Sequence, residues 1–464
     1  MKAIRSALRR LPADDSGVSL IEVLVAMMIF AIISVGVAYS LLSAFTLTGD
    51  SRSRAVATNL AAQEVDLDRS AADFFALQST AVPKQVQVPD GTGVVYSISR
   101  TVNLVYNTGT DVNCNASAPS SMLYKRIRVS ITWPKMIGAA VVADTVIAPS
   151  TKISIDTLGT ILVSTKSSGG TPMPGIGVAV SPDPGSVPTA TDSMGCSYVL
   201  KVPPGSYTVT VAKTGYVDPN QNPTPSSTIT VKAGQSSSAG FTYDQAGTAG
   251  WAYPSGGTKN PTNLTVSALS TYGVYNTSAT SPASVKLFPS TTYGIVAGDY
   301  SPKTDASPGC LSPNPADWGT TPTTPGHNLV PVAAPTVSFT PGGAQSVGTL
   351  PMGSITLTNP SARTSDLYIA ATGVASWVGG DPGCFGTGLT QSLSFGTTAI
   401  LGKSAGSKVT IQLPFGAWKL TYGTSSSPTT PVPATWMSAP TGVTGITVGT
   451  AGSGTVTLDP RVVQ

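Results

Sequence analysis

The feature that most constrains this chain is an apolar run from Val18 to Phe45 that contains one carboxylate, Glu22. The run is longer than the ~20 residues that a helix needs to cross a bilayer. Residues 1–17 are basic and are expected to stay on the cytoplasmic side, which leaves the rest of the chain outside. The run therefore predicts a single-pass protein of the cytoplasmic membrane with an extracytoplasmic C-terminus.

The order of the small residue and the apolar run is unusual. An ordinary secretory signal has a core of ~7–15 apolar residues followed by a small-residue cleavage site. Here Gly17 precedes the run. Cleavage after Gly17 would remove only the basic leader, retain the membrane helix and create a positive α-amine at Val18, about one helical turn from Glu22.

The stretch "GVSLIEVLVAMMIFAI" resembles the N-terminus of type IV prepilins and of the related pseudopilins. The resemblance implies that a prepilin peptidase cuts after Gly17 and that Val18 becomes the N-methylated terminus. It also implies that Glu22 is the glutamate at the fifth mature position, which acts in filament assembly. The family usually begins its mature chain with phenylalanine, so Val18 is a departure.

A carboxylate within hydrocarbon is costly and is expected to be paired or functional. In a filament, Glu22 can meet the α-amine of a neighbouring subunit, and a wrong register would leave a charge bare. The alternative interpretation is that Glu22 merely lies at the headgroup interface.

The pattern stays helical after the apolar run, with no proline before Pro83. It predicts one helix from about Val18 to Leu77, ~90 Å long at 1.5 Å per residue.

The alternating runs "VVYSISRTVNLVYN" and "YKRIRVSITWP" predict strands of a sheet under the second half of this helix, and "TKISID" predicts a third strand. The stretches "LAAQEVDLDR" and "KRIRVSITW" resemble small minor pilins and pseudopilins. The first 157 residues are therefore predicted to form three segments: a leader at 1–17, a transmembrane and pilin helix at 18–78 and a pilin-like β-sheet module at 79–157.

The remaining two-thirds has the composition of turn-rich, exported, all-β modules, with 48 glycines, 38 prolines and 10% charged residues overall. "VPPGSYTVTVAKTGY" resembles the late hairpin of carboxypeptidase-regulatory-like and collagen-adhesin B-type domains, which are Ig-like sandwiches. The pattern recurs with Tyr293 and Trp418 in the place of Tyr207. The fold class is thus an α+β pilin-like module, a long N-terminal helix plus antiparallel sheet, followed by all-β Ig-like sandwich domains. These span 158–245, 246–345 with a linker, and 346–464.

Four widely spaced cysteines without a CxxC pair favour disulfides over a zinc site in an exported chain. Cys310 and Cys384 lie in proline- and glycine-rich loops, where the chain can adjust to disulfide geometry, and are predicted to pair and tie the last two modules together. Cys196 lies in a strand-like segment as a small buried thiol, and its bond with Cys114 is left open.

Signals for enzymatic activity are poor, so no catalytic residue, metal site or cofactor is predicted. His327 is the single histidine and falls in a loop-like context, and no GxSxG occurs. Asp218, Asn220 and Asn222 alternate as in a calcium loop, but the neighbouring prolines favour a turn. The net charge of +4 comes from scattered basic residues, so nucleic acid is not specifically implied as a partner.

Two classes of function compete. The first is a minor type IV pilin, or pseudopilin, that inserts its helix into a surface filament and displays β-sandwich modules, for adhesion. Its partners are other pilin or pseudopilin subunits, the prepilin peptidase, the cytoplasmic membrane and an unknown surface ligand, and it ends in a cell-surface pilus. The alternatives are a type II secretion pseudopilin, or a membrane-anchored surface binding protein or enzyme exported by a pilin-like route.

The N-terminus generates the first prediction. Protein extracted from membranes should begin at Val18 in N-terminal sequencing, with or without an N-methyl group. Gly17→Ala should be tolerated or slow the cleavage, whereas Gly17→Arg should block it because a bulky charge replaces the small residue. A mature chain that begins at Met1 would contradict the prepilin interpretation.

Overall fold

The computed structural model describes residues 19–464 except 72–73, 75–76, 81, 90–92, 107, 113, 119–121, 150–154, 279–283, 305–308, 325, 385–390 and 442–444. The chain divides into two compact units. One comprises residues 1–112 and 122–153, and the other comprises residues 113–121 and 154–464.

The first unit contains one long helix, α1, which runs from Leu20 to Arg69 over 50 residues. At 1.5 Å per residue this is about 75 Å. Every described residue from 19 to 49 is exposed, whereas buried positions begin at Ala57. The helix therefore has an apolar exposed half, residues 20–49, and a packed half, residues 57–69, in which the buried positions lie.

A four-stranded antiparallel sheet completes the first unit, in the order β1-β2-β3-β4. Its strands are β1 (Lys84–Gln87), β2 (Val95–Tyr106), β3 (Met122–Thr132) and β4 (Val141–Ile147). The two long runs predicted as strands from their alternation are β2 and β3. The third predicted strand, "TKISID", falls mostly outside the described residues, and the sheet is completed instead by β1 and β4, which the sequence reading missed.

The packed half of α1 lies on this sheet through small side chains. Ala57, Ala61 and Val65 recur every four residues and are buried, so they form one stripe along the helix. The core beneath them comes from alternate positions of the strands and from one residue after β3: Tyr96, Ile98, Val102, Ile127, Val129, Ile131 and Trp133. Alanine in the stripe allows the helix backbone to approach the bulky residues of the sheet closely.

The helix ends at Arg69, earlier than the predicted end near Leu77. The reason is a buried cation on β3: the Lys125 ammonium donates to the carbonyls of Phe74 at 2.8 Å and Leu77 at 2.7 Å. The Ser79 hydroxyl then accepts a backbone N–H from β2 at 2.8 Å. A buried ammonium must be hydrogen-bonded, so the segment after Arg69 follows the sheet and not the helix axis.

The second unit begins with two facing three-stranded sheets, ordered β10-β8-β6 and β11-β5-β7, and a short β12-β9 pair. The strands are β5 (Gly159–Lys166), β6 (Gly177–Ser181), β7 (Cys196–Val202), β8 (Gly205–Ala212), β9 (Tyr216–Val217), β10 (Ser226–Val231), β11 (Ser236–Thr242) and β12 (Asp244–Gln245). Both sheets contribute to one core, including Val163 of β5 and Val199 of β7. Tyr207, Val209 and Val211 of β8 face this core, as their alternation predicts.

The rest of the second unit contains only strands and two short 3-10 helices, Pro315–Asp317 and Ala434–Trp436, among the residues described. The strands are β13 (Gly247–Ala252), β14 (Thr258–Lys259), β15 (Thr265–Ser270), β16 (Gly273–Ser278), β17 (Ser284–Leu287), β18 (Thr292–Ala297), β19 (Thr321–Thr324), β20 (His327–Val330), β21 (Thr336–Ser338), β22 (Ala344–Thr349), β23 (Gly353–Thr358), β24 (Tyr368–Gly373), β25 (Ser392–Ser394), β26 (Lys408–Leu413), β27 (Gly416–Gly423), β28 (Thr430–Pro431), β29 (Met437–Ser438), β30 (Ile446–Val448), β31 (Thr455–Leu458) and β32 (Val462–Val463). The predicted fold class, a helix-plus-sheet module followed by all-β sheets, is confirmed.

Segments far apart in sequence share sheets and core in this region. The sheet orders are β17-β13-β22, β14-β26-β23-β29, β16-β15-β18-β21, β19-β20-β32 and β25-β24-β27-β31-β30, with β28 on β27. One buried cluster extends from Ala249 to Leu458. The predicted division between 345 and 346 falls inside β22, which pairs with β13, so residues on both sides of it build a single core. The stretch that resembles a linker, 320–336, contains β19 and β20.

The recurring aromatic pattern has a common hydrogen bond. The Tyr207 hydroxyl donates to the Pro203 carbonyl at 3.0 Å, and the Trp418 indole N–H donates to the Pro414 carbonyl at 2.8 Å. The third copy, Tyr293, donates its hydroxyl to the carbonyl of a residue five positions earlier at 2.9 Å. In each copy a buried aromatic that leads a strand satisfies its polar atom on the preceding turn. The repeat therefore marks a local hydrogen bond that joins each strand to the turn before it.

The alanine stripe generates the second prediction. Ala61→Leu should destabilise the first unit by about 1–3 kcal/mol, because the larger side chain overpacks a site that is 2% exposed. Hydrogen exchange of the β3 amides, followed by mass spectrometry of the full chain in detergent, should show the loss of protection.

Ala62→Leu is the matched control, since Ala62 is exposed on the same turn. Equal exchange rates in the two variants would show that the stripe does not carry the packing.

Candidate assembly site on the N-terminal helix

Glu22 lies in the first turn of α1. The Ser19 carbonyl accepts the N–H groups of Glu22 at 2.9 Å and Val23 at 3.2 Å, which starts the helix. The positive end of the helix dipole favours a carboxylate at this position. Glu22 is exposed, so its carboxylate is open to a group from outside the chain.

The surface around Glu22 is apolar. Glu22 lines a shallow groove together with Val23, Ala26, Met27 and Phe30, which follow one another at helical spacing on one side of α1. The large side chains are strongly exposed, with 72% of Phe30 open. An apolar surface of this extent is stable only against lipid or another protein.

Three hydroxyl side chains of the exposed half bond to their own helix. The hydroxyls of Ser40, Thr46 and Thr48 donate to carbonyls three or four residues earlier, at 3.0, 2.8 and 2.7 Å. Internal satisfaction of polar groups is the requirement that hydrocarbon places on a helix. Among the described residues, α1 is the one helix long and apolar enough to cross a membrane.

Two polar side chains, Asp50 and Arg54, contact the rest of the first unit where the exposed half ends. The Arg54 guanidinium donates to the carbonyls of Ile137 at 2.6 Å and Ala139 at 3.2 Å and lies 5.6 Å from the centroid of the Trp133 ring. The Asp50 carboxylate accepts the Ile137 N–H at 3.1 Å. These contacts tie the helix to the turn between β3 and β4, so the exposed half is held at a defined distance from the sheet.

The predicted processing residues, Gly17 and Val18, lie outside the described residues. Glu22 is described and stands on the exposed apolar half of α1, as set out above.

The structure pairs Cys310 with Cys384 and Cys114 with Cys196. The first pair joins chain segments on either side of the predicted 345/346 division. The second pair attaches the chain at Cys114 to the sandwich, and the Ser238 hydroxyl donates to the Cys114 carbonyl at 2.5 Å. The sequence alone leaves this second bond open, because Cys196 at the start of β7 also suits a free buried thiol.

Residues weighed for other chemistry do not form a site. The Asp218 carboxylate accepts the backbone N–H groups of Asn220 at 2.9 Å and Asn222 at 2.8 Å, so it closes a turn. No group of three His, Cys, Asp or Glu residues suited to a metal occurs among the residues described. His327 is exposed and begins β20, so its expected loop context was wrong.

Comparison with known proteins singles out the same N-terminal segment. Residues 13–38 match the family model described as the prokaryotic N-terminal methylation motif. The match covers Gly17, Val18 and Glu22. No curated protein matches the chain.

Two solved structures show a weak likeness. The TIE protein of Bacillus anthracis is 13% identical at a TM-score of 0.19, over 75% of this chain and 69% of that one. The streptococcal ancillary pilin is 11% identical at a TM-score of 0.15, over 66% of this chain and 94% of that one. Likeness at these scores carries no argument about fold or function.

The chain thus carries the N-terminal methylation motif that is typical of type IV pilins and pseudopilins. The motif implies processing by a prepilin peptidase and association with other pilin subunits. The apolar helix that follows it indicates a membrane-anchored, surface-exposed protein.

The exposed carboxylate generates the third prediction. Glu22→Ala should leave membrane insertion intact or improve it, because a charge leaves the bilayer. The amount of protein in sheared surface filaments should fall, because the α-amine of the neighbouring subunit would lose its carboxylate partner. Immunoblots of membrane and sheared fractions measure both quantities.

Ser40→Ala is the control on the same exposed half, since the Ser40 hydroxyl bonds only within the helix in the described structure. Normal levels of Glu22→Ala in sheared filaments would refute the assembly role of the carboxylate.

Proposed function

We propose that this chain is a minor type IV pilin that inserts α1 into a surface filament and displays its β-rich unit for adhesion. The observation that carries the proposal is the methylation motif at 13–38, which leads into a helix with an exposed apolar half and a sheet-packed half. Leader peptide, membrane span and assembly surface are then one continuous segment.

The length of α1 favours a filament subunit over a simple anchor. A membrane anchor needs ~20 residues, whereas α1 continues without a break for 50. An anchor also has no use for a carboxylate such as Glu22 within its span. Both features are accounted for when the exposed half moves from the bilayer into a bundle of like helices.

The size of the second unit favours a rare subunit. Residues 154–464 belong to it, which is most of the chain. A unit of that size on every subunit would crowd a filament shaft, so a subunit near a tip suits it better. We propose that its sandwich at 158–245 is an Ig-like relative of carboxypeptidase-regulatory-like and collagen-adhesin B-type domains, and that the unit binds a surface ligand.

Two alternative functions would place the protein elsewhere and give it a different role. A type II secretion pseudopilin would assemble in the periplasm and support protein export. A membrane-anchored surface binding protein or enzyme would use the pilin-like export route without entering a filament. The exposed Glu22 disfavours the second alternative, because an anchor gains nothing from it.

Immunogold labelling of sheared surface filaments tests the proposal and is the fourth prediction. An antibody to residues 154–464 should label sparse positions on filaments of the wild type. The label should be lost with Glu22→Ala, while the membrane pool of the protein persists.

Labelling confined to the membrane would favour the anchored protein. Loss of extracellular enzymes from the culture medium in a deletion strain, with unlabelled surface filaments, would favour the type II secretion pseudopilin.

A further inference from the structure

A small polar cavity lies in the second unit, between the turn at 218–222 and the hairpin of β15 and β16. Its volume is about 130 Å³. Three tyrosines, Tyr272, Tyr275 and Tyr293, line it together with the amide residues Asn220 and Gln221. No charged side chain is among the described residues that line it.

The back wall of the cavity is held rigidly by Gln221. This residue is 8% exposed, and its backbone has φ of 64°, in the left-handed region. Its amide nitrogen donates to the Pro219 carbonyl at 2.9 Å and the Tyr293 hydroxyl at 3.2 Å, and its oxygen accepts the Phe288 N–H at 2.5 Å. A non-glycine residue keeps this conformation only where its surroundings determine it, and such positions concentrate at binding sites.

Tyr293 extends the same network. Its hydroxyl donates to the Phe288 carbonyl at 2.9 Å. Burial raises the pKa of Tyr293 to about 12, so the hydroxyl stays protonated and neutral at physiological pH. The inner wall is therefore uncharged, and its polar hydrogens are donated within the chain.

The mouth of the cavity presents groups that are free to bind. The Tyr272 side chain is 47% exposed, and its ring rests edge-on against the Phe288 ring with centroids 5.5 Å apart. The Asn220 backbone is held by Asp218, but within the described chain its side-chain amide has no hydrogen-bond partner. The mouth thus has the Tyr272 ring, packed on Phe288, and the Asn220 side-chain amide, which is open to a ligand.

The chemistry of this lining matches a neutral sugar. The C–H face of a pyranose packs on an aromatic ring, and its hydroxyls take hydrogen bonds from amides and tyrosine hydroxyls. An anionic ligand would find no cation on the walls. The volume is below the ~300 Å³ at which pockets for drug-sized ligands begin, which suits one ring and not an extended peptide.

We propose that this cavity binds a terminal monosaccharide of a neutral glycan, with Tyr272 as the stacking ring and Asn220 as a hydrogen-bonding amide. The inference deepens the proposed function, since it names the ligand class of the adhesive unit, and its biological use rests on that function. Binding itself is a property of the second unit and can be measured apart from filament assembly.

Saturation-transfer NMR on the full chain in detergent micelles tests this assignment. The probes are glucose, galactose, mannose, N-acetylglucosamine and N-acetylgalactosamine, with N-acetylneuraminic acid as the charged comparison. We expect transfer to at least one neutral sugar and none to the charged one. Tyr272→Ala and Asn220→Ala should each weaken binding by about tenfold, which corresponds to ~1.4 kcal/mol.

Two control variants separate binding from folding. Tyr272→Phe keeps the ring and should retain binding. Trp377→Ala removes another exposed aromatic of the second unit, 41% exposed and away from the cavity, and should not change binding. Thermal unfolding of all four variants, compared with the wild type, reports whether each one is folded.

The absence of transfer to every sugar, or undiminished binding by folded Tyr272→Ala, would overturn the assignment. Transfer to a proline-rich peptide and to none of the sugars would identify a polypeptide as the occupant and overturn it as well. Sugar binding by a chain that never enters sheared filaments would contradict the pilin function alone. Filament entry by a chain that binds no sugar would contradict the glycan site alone.

Discussion

The structure of this protein depends on a single helix that must suit two environments. The exposed half of α1 displays large apolar side chains that only lipid or other helices can cover, whereas the packed half buries a stripe of small residues on its own sheet. The change occurs at Asp50 and Arg54, whose polar contacts fasten α1 to the β3–β4 turn. Because α1 is unbroken across this point, the exposed half continues along the helix axis beyond the packed half. For the proposed filament subunit, this projection is the part that enters the assembly.

A covalent bond adds a second constraint in the other unit. Cys114 lies in the chain between β2 and β3 and is bonded to Cys196 of β7. The Ala118 backbone also pairs with Ser236 at the start of β11. A disulfide that closes a loop of this length contributes about 4 kcal/mol in the chain-entropy model. The sandwich is thereby covalently bonded to a stretch of chain well before its first strand.

The large β-rich region shows how local repeats and global cores can disagree. Tyr207, Tyr293 and Trp418 occupy equivalent places, and each donates a hydrogen bond to the turn before its strand. Local similarity of this kind suggests separate modules. Yet the residues from Ala249 to Leu458 bury one common cluster, with β13 paired to β22 and β14 paired to β26. The same hydrogen bond from strand to preceding turn thus occurs in the sandwich core and in the larger, interleaved core.

The sequence by itself determined the features that depend on short-range patterns. The apolar run with Glu22, the alternation of β2, β3 and β8, and the aromatic repeat are all readable because each is a pattern within one short stretch of chain. In the strands, that pattern is the period of 2 that burial follows. Only the tertiary structure decided where α1 ends, because Lys125 is distant in sequence from the carbonyls of Phe74 and Leu77 that it binds. The same holds for the Cys114–Cys196 bond, the shared core beyond residue 246 and the cavity at Tyr272, each built from segments that sequence distance separates. Contacts of that range depend on the folded path of the chain, which no local pattern of residues records.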